Sequence, residues 1–146
     1  MVRPARPDLA AMMVPLGRSL IAAELPILQS HDLKMWAYIV LLELREEPTR
    51  TQAALAQAIG ADKTRIIGVL DELAERGLIR RTPDPQDRRA RLLAITPAGK
   101  RLRDAVQRDI QDNEERLLAR LAPADRRGFL RGLQYLAELP PEEITG

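Results

Sequence analysis

The stretch Pro83-Asp84-Pro85-Gln86-Asp87-Arg88-Arg89-Ala90-Arg91 carries three arginines and two aspartates within nine residues. Prolines and aspartates mark a turn. Guanidinium groups on a projecting turn can enter a narrow duplex minor groove, where negative potential is concentrated. Asp87 is suited to brace such a group, accepting a hydrogen bond from Arg88 or Arg89 and holding it outward. The plain alternative is a solvated turn whose charges balance locally. A second set of residues makes the first reading stronger. Lys63, Thr64 and Arg65 open a helical pattern. Arginine bonds guanine bidentately, lysine reaches a guanine acceptor or a phosphate, and threonine bonds a base or touches a thymine methyl. Ile67 falls on the face away from Ile66, Val69 and Leu70, where it either meets thymine methyls or covers neighbouring side chains. Gly68 permits close approach, to DNA or to another helix. Arg50 and Gln52 are candidates for holding phosphates.

These residues need elements to hold them, and the pattern is mostly helical. Apolar residues at Leu9, Met12, Met13, Leu16, Leu20, Ala23 and Ile27 follow a 3.6-residue period behind a capping Asp8, with Pro15 and Pro26 as kink points. A second helix spans about Asp32 to Glu46, burying Met35, Trp36, Ile39, Val40 and Leu42 or Leu44. Thr51 caps a short helix that Gly60 stops, and Asp62 caps the next, which runs to Glu75 and closes at Gly77. Two helices joined this tightly form a helix-turn-helix. Residues 78–82 and 91–95 read as a hairpin around the arginine-bearing turn. Thr96-Pro97 then starts a long helix with a stripe at Leu102, Val106, Ile110, Leu117 and Leu121. Pro123 starts a last one, with Phe129, Leu130, Leu133 and Leu136 on one face, ended by Pro140-Pro141.

Bulk properties exclude several classes. The 146 residues suit one domain, 45% hydrophobic and 30% charged, which rules out a disordered chain. No apolar run approaches the roughly 18 residues that a membrane span needs. The N-terminal apolar stretch, broken by Pro15 and Gly17, does not read as a signal peptide. A cytoplasmic protein is the expectation. The absence of cysteine removes thiolate metal sites and thiol redox sensing, and the single His31 argues against histidine-based metal or catalytic sites. No nucleophile–base pair or phosphate loop is present, so neither enzyme nor cofactor is expected. Net charge is only +2, yet residues 60–103 hold eleven bases against six acids, an excess of five. From residue 104 onward nine acids face six bases. A basic middle is the footprint expected for a polyanion such as double-stranded DNA.

Helix-turn-helix followed by a two-stranded wing is a winged helix, and the motifs bear a family likeness. Leu73-Ala74-Glu75-Arg76-Gly77-Leu78-Ile79 is similar to an LExRGLV segment, Asp84 to Arg89 to a DxRDxR wing, and Ile95-Thr96-Pro97-Ala98-Gly99 to an LTxxG helix start. Leu55-Ala56, Gly60 and Ile66 fall where such units place a buried pair, a turn glycine and a buried recognition-helix residue. Together these resemble the MarR (multiple antibiotic resistance regulator) family of bacterial transcription factors. Gln86, Ile67 and Gly68 depart from its commonest residues.

The resemblance implies a mainly α fold with a small β-hairpin wing: one domain over 1–146, a winged-helix core over 32–96, and dimerisation helices over 1–31 and 97–146. It implies a homodimer on a palindromic operator, acting as a repressor, with Arg89 entering the minor groove. It also implies a small aromatic or anionic ligand, for which His31, Trp36 and Tyr38 are candidate lining residues; the plainer reading puts Trp36 in the core and His31 in a loop or cap. The rival to DNA binding is a winged helix that meets an acidic protein partner through its basic face.

Overall fold

Side-chain caps set the boundaries of the central helices in this computed structural model, which describes residues 2, 3 and 5–146. Two compact units are present, 1–108 and 109–146. Met1 and Pro4, within the segment read as N-terminal dimerisation helix, lie outside the described residues.

The first unit begins with α1 (Leu9–Ser30), one helix that runs through both Pro15 and Pro26. Asp8 occupies its N-cap position but makes no side-chain cap bond, so the expected aspartate cap is corrected. The membrane test also changes. Although Gly17-Arg18-Ser19 break the apolar run, the 22-residue helix has an 18-residue window of mean hydropathy 1.4. By length and composition alone α1 can cross a bilayer, which corrects the expectation that no segment is long and apolar enough to do so. Helix α2 (Met35–Glu43) is shorter at both ends than the sequence pattern implies. Asp32 takes a left-handed φ of 52°, which stops helix on that side. At the other end Leu44 turns extended and is buried, and the Arg45 carbonyl accepts from the Ile95 amide at 2.8 Å. The sheet thus captures the backbone before it can complete another helical turn. Leu44 and Leu41 enter the core, while Leu42 is exposed.

Next come β1 (Arg50–Thr51), α3 (Gln52–Ile59) and α4 (Lys63–Glu75). Thr51 Oγ1 accepts from the Ala54 amide at 3.1 Å, and Asp62 Oδ1 from the Arg65 amide at 2.7 Å. Each bond satisfies a backbone donor that the first helical turn leaves free. Gly60 takes φ 69° between the two helices, a conformation that costs glycine little. Leu55, Ile66, Leu70 and Leu73 are buried, as the helical period requires.

The hairpin is β2 (Ile79–Pro83) against β3 (Arg91–Ile95). It belongs to a three-stranded antiparallel sheet of order β1-β3-β2, in which Arg50 pairs with Leu93 and Thr51 with Leu92. The third strand is two residues long, too short to show alternation in sequence. Thr96 closes the junction into α5 (Pro97–Leu118). Its hydroxyl donates to the Gly77 carbonyl at 2.7 Å and accepts from the Gly99 amide at 3.1 Å.

The second unit takes in the end of α5, then α6 (Pro123–Ala137) and α7 (Pro141–Thr145). Helix α6 ends ahead of Pro140-Pro141, and these prolines also start the short α7, as prolines at a first helical turn can. Arg126 donates to Glu115 at 2.6 Å, joining α6 to α5. Phe129, Leu133 and Leu136 remain exposed.

Candidate nucleic-acid interface

Three starts of elements frame one groove. β1 leads into α3, Asp62 fixes the first turn of α4, and the wing carries its tip residues on the far side. The groove has a volume of about 490 Å³. Thr51, Gln52 and Ala53 line one wall, Lys63, Ile66 and Ile67 the next, and Arg81, Asp87, Arg89, Ala90 and Arg91 the wing side. Four of these side chains are cationic and one is acidic, so the concavity favours an anion.

Gln52, Lys63, Ile67, Asp87 and Arg89 therefore meet in one place. Ile67 is half exposed, and a Cβ on Gly68 would meet open space among the described residues of its own unit. Thr64 and Arg65 are exposed in the first turn of α4 but outside the lining. Arg88 is exposed at the wing tip, also outside it. Arg50 is half-buried on β1, its Nη1 3.3 Å from Glu43 Oε2 without hydrogen-bond alignment, so the contact is a bare ion pair.

Asp87 bonds the backbone of the wing tip. Its Oδ1 accepts from the Arg89 amide at 3.0 Å, and Asp84 Oδ1 accepts from the Gln86 amide at 2.9 Å. The carboxylates shape consecutive turns and leave the guanidinium groups unbonded to them, correcting the side-chain brace. Gln86 gains a role here through its amide, one that its side-chain type does not reveal.

Two cationic groove residues, Arg81 and Arg91, are not among the candidate site residues of the sequence. Register puts Arg81 opposite Leu93 and Pro83 opposite Arg91, so Arg81 and Arg91 share one sheet face. Arg81 also donates to Asp71 on α4, tying wing to helix. Strand alternation carried this signal, had the pairing been known.

The three aromatic candidates separate. Tyr38 is buried, whereas His31 and Trp36 are half-buried. The Trp36 ring lies under the Arg65 guanidinium, 5.7 Å from centroid to carbon, so Trp36 faces the recognition helix and is not simply core. None of the three lines the basic groove.

Comparison with known proteins bears on this geometry. A sequence model of the MarR family matches residues 31–90, the stretch that builds the groove. CouR from Rhodococcus jostii RHA1, solved bound to p-coumaroyl-CoA, is 30% identical, with a TM-score of 0.70 over 91% of this chain and 94% of its own. The chain belongs to the MarR family. Among curated relatives, a putative transcriptional regulatory protein for the hcr operon of Thauera aromatica is 35% identical over 96 residues, 66% of this chain. The HTH-type transcriptional repressor NicR of Pseudomonas putida is 35% identical over 69 residues, 47% of this chain. These matches span 57% and 44% of the two relatives, about half their length. The winged-helix MarR architecture, mostly helical with a small antiparallel sheet, is what the strand order and helix order above describe.

Proposed function

We propose that the chain is a DNA-binding transcriptional regulator: a cytoplasmic homodimeric repressor of a palindromic operator, released by a small aromatic or anionic ligand. The observation that carries the DNA reading is the groove in which the first turn of α4 and the wing arginines face one concavity. A recognition helix enters the major groove by its N-terminal turn, and an arginine at a wing tip reaches the adjacent minor groove. In this reading Lys63, Thr64, Arg65 and Ile67 meet base edges, Arg89 enters the minor groove, and Arg50, Gln52 and Arg88 meet phosphates.

Dimerisation is supported by apolar side chains that each unit leaves uncovered: Leu9, Met12, Met13 and Leu16 on α1, and Phe129, Leu133 and Leu136 on α6. Apolar patches of this kind are usual at protein interfaces. Two-fold pairing would give one reading unit per half-site. The ligand reading draws on relatives such as CouR, whose structure holds p-coumaroyl-CoA. A ligand acting through the His31–Tyr38 corner would reach α4 directly, since Asp32 and Trp36 both contact it.

Selection of bound duplexes from a random pool tests the reading. Recovery of a palindrome, with binding lost in Arg65→Ala and Arg89→Ala, is the expected result. Recovery of no duplex, even at low salt, would overturn it and leave an acidic protein partner for the basic face.

A further inference from the structure

Arg65 is held twice. Asp62 fixes its amide, and its guanidinium rests over the indole of Trp36 at 5.7 Å. Tryptophan is the best aromatic partner for a cation, and 6 Å is roughly the outer limit of the attraction. Stacking uses the flat face of a guanidinium, whereas bidentate hydrogen bonding uses its in-plane edge. Arg65 can therefore lie on Trp36 and still present its N–H fork outward.

The platform under Arg65 is itself anchored to the same helix. Arg76 Nη1 donates to the Asp32 carbonyl at 2.7 Å, and Lys34 Nζ lies 3.5 Å from Glu72 Oε2. Residues 65 and 72 of α4 and its C-cap residue 76 are spaced by seven and four, along one helix face, and they meet 36, 34 and 32 in reverse order. The corner between α1 and α2 is thus fastened along the recognition helix at three points, and Trp36 is the point nearest its reading end.

We propose that Trp36 is a positioning residue for base recognition: its indole selects the orientation in which Arg65 meets a base edge. The inference rests on the reading of Arg65 as a base contact. Trp36 acts through Arg65 and touches no nucleic acid itself. Its loss widens the choice of bases at one position of each half-site and leaves the other positions as they were.

Trp36 is the only tryptophan in the chain, so tryptophan fluorescence reports on the surroundings of this one ring. In the free full-length protein, Arg65→Ala changes the emission. Unchanged emission would show that the stack does not exist in solution and overturn the inference. Duplex selection is then run on the wild type, Arg65→Ala, Trp36→Leu, Trp36→Phe and the Arg65→Ala/Trp36→Leu double variant, each checked for native circular dichroism. Arg65→Ala lowers discrimination at one half-site position by about tenfold, as loss of a bidentate base contact does. Trp36→Leu relaxes the same position, Trp36→Phe relaxes it less, and the double variant matches Arg65→Ala. If Trp36→Leu weakens all sequences equally, or leaves that position as selective as the wild type, Trp36 has no positioning role. If Arg65→Ala itself keeps full selectivity, the base-contact reading of Arg65 fails first. Should Trp36→Leu not fold, the comparison of Trp36→Phe with the wild type decides on the same position.

Discussion

Asp71 on α4 accepts a hydrogen bond from Arg81 on β2, so the recognition helix and the wing share one charged brace. The Arg81 side chain is three-quarters covered, the Asp71 side chain about half exposed. Partly exposed pairs contribute less than about 1 kcal/mol to stability. Arg81→Ala is therefore expected to unfold at nearly the wild-type denaturant midpoint while binding DNA more weakly. Asp71→Asn should do the same, and the double variant should be no worse than the worse single one. Chemical denaturation and gel-shift titration on the same samples check both halves. A large stability loss would show that the brace holds the fold and not the wing.

Gly99 and Gly68 call for opposite outcomes on substitution. A Cβ on Gly99 would overlap the Leu78 carbonyl oxygen and crowd Ile95, with backbone on one side that cannot move aside. Gly99→Ala is expected to cost on the order of 3 kcal/mol, as overpacking at a rigid site does. Around Gly68 there is open space, so Gly68→Ala is expected to raise stability by about 1 kcal/mol through helix propensity. It should also weaken duplex binding, because close approach to DNA is the use left for a bare backbone there. Thermal melts and gel shifts would settle each; unchanged binding in Gly68→Ala would remove the close-approach role.

Two carboxylates tie stability to pH with opposite signs. The hydrogen bond and charge of Lys100, 2.7 Å away, hold Glu46 below its ordinary 4.5. A depressed carboxylate adds stability that is present above about pH 4.5 and is lost as pH falls through the lowered folded value. Burial, with Glu115 beside it, raises Glu114 instead. There the cost sets in as pH climbs past the ordinary 4.5 and is complete above the raised folded value. Glu46→Gln should flatten the acid limb of a stability–pH curve, and Glu114→Gln should stabilise the protein at neutral pH. Denaturant midpoints measured between pH 3 and pH 8 check both, and the reverse pattern would refute the assignment.

Self-association is open to direct measurement. The chain should sediment at twice its 16.4 kDa. Leu16→Glu and Phe129→Glu, each placing a charge on an exposed apolar side chain, should shift it toward monomer without loss of helix. A wild-type monomer at micromolar concentration would remove the homodimer.

Much of the fold was legible because its signals are local. Thr51, Asp62 and Gly60 act within their own turns, and Ile66, Leu70 and Leu73 follow one helix period, so residue type and spacing suffice. What stayed hidden depends on partners far along the chain. The early end of α2 follows from Ile95 bonding Arg45, fifty residues away. The brace needs a strand register to bring Arg81 beside Asp71, and the seat of Arg65 needs α2 to lie beside α4. Among candidate site residues, Gln52, Lys63, Ile67 and Arg89 converge on the groove because capped helix starts and a turn tip are visible in sequence. For Asp87 the sequence cannot separate an Asx turn from a side-chain pair, and it is the Arg89 amide that its carboxylate accepts from.

The wing tip holds its own shape. Asp84 and Asp87 each bond an amide two residues on, and the strand ladder below ends at the Pro83–Arg91 pair. Its conformation thus borrows little from the domain beneath it. Residues 84–90 should therefore be exchangeable as a cassette: a loop of equal length with its own aspartates, grafted between those two anchors, is expected to change which grooves are sampled and to leave the scaffold's folding as before.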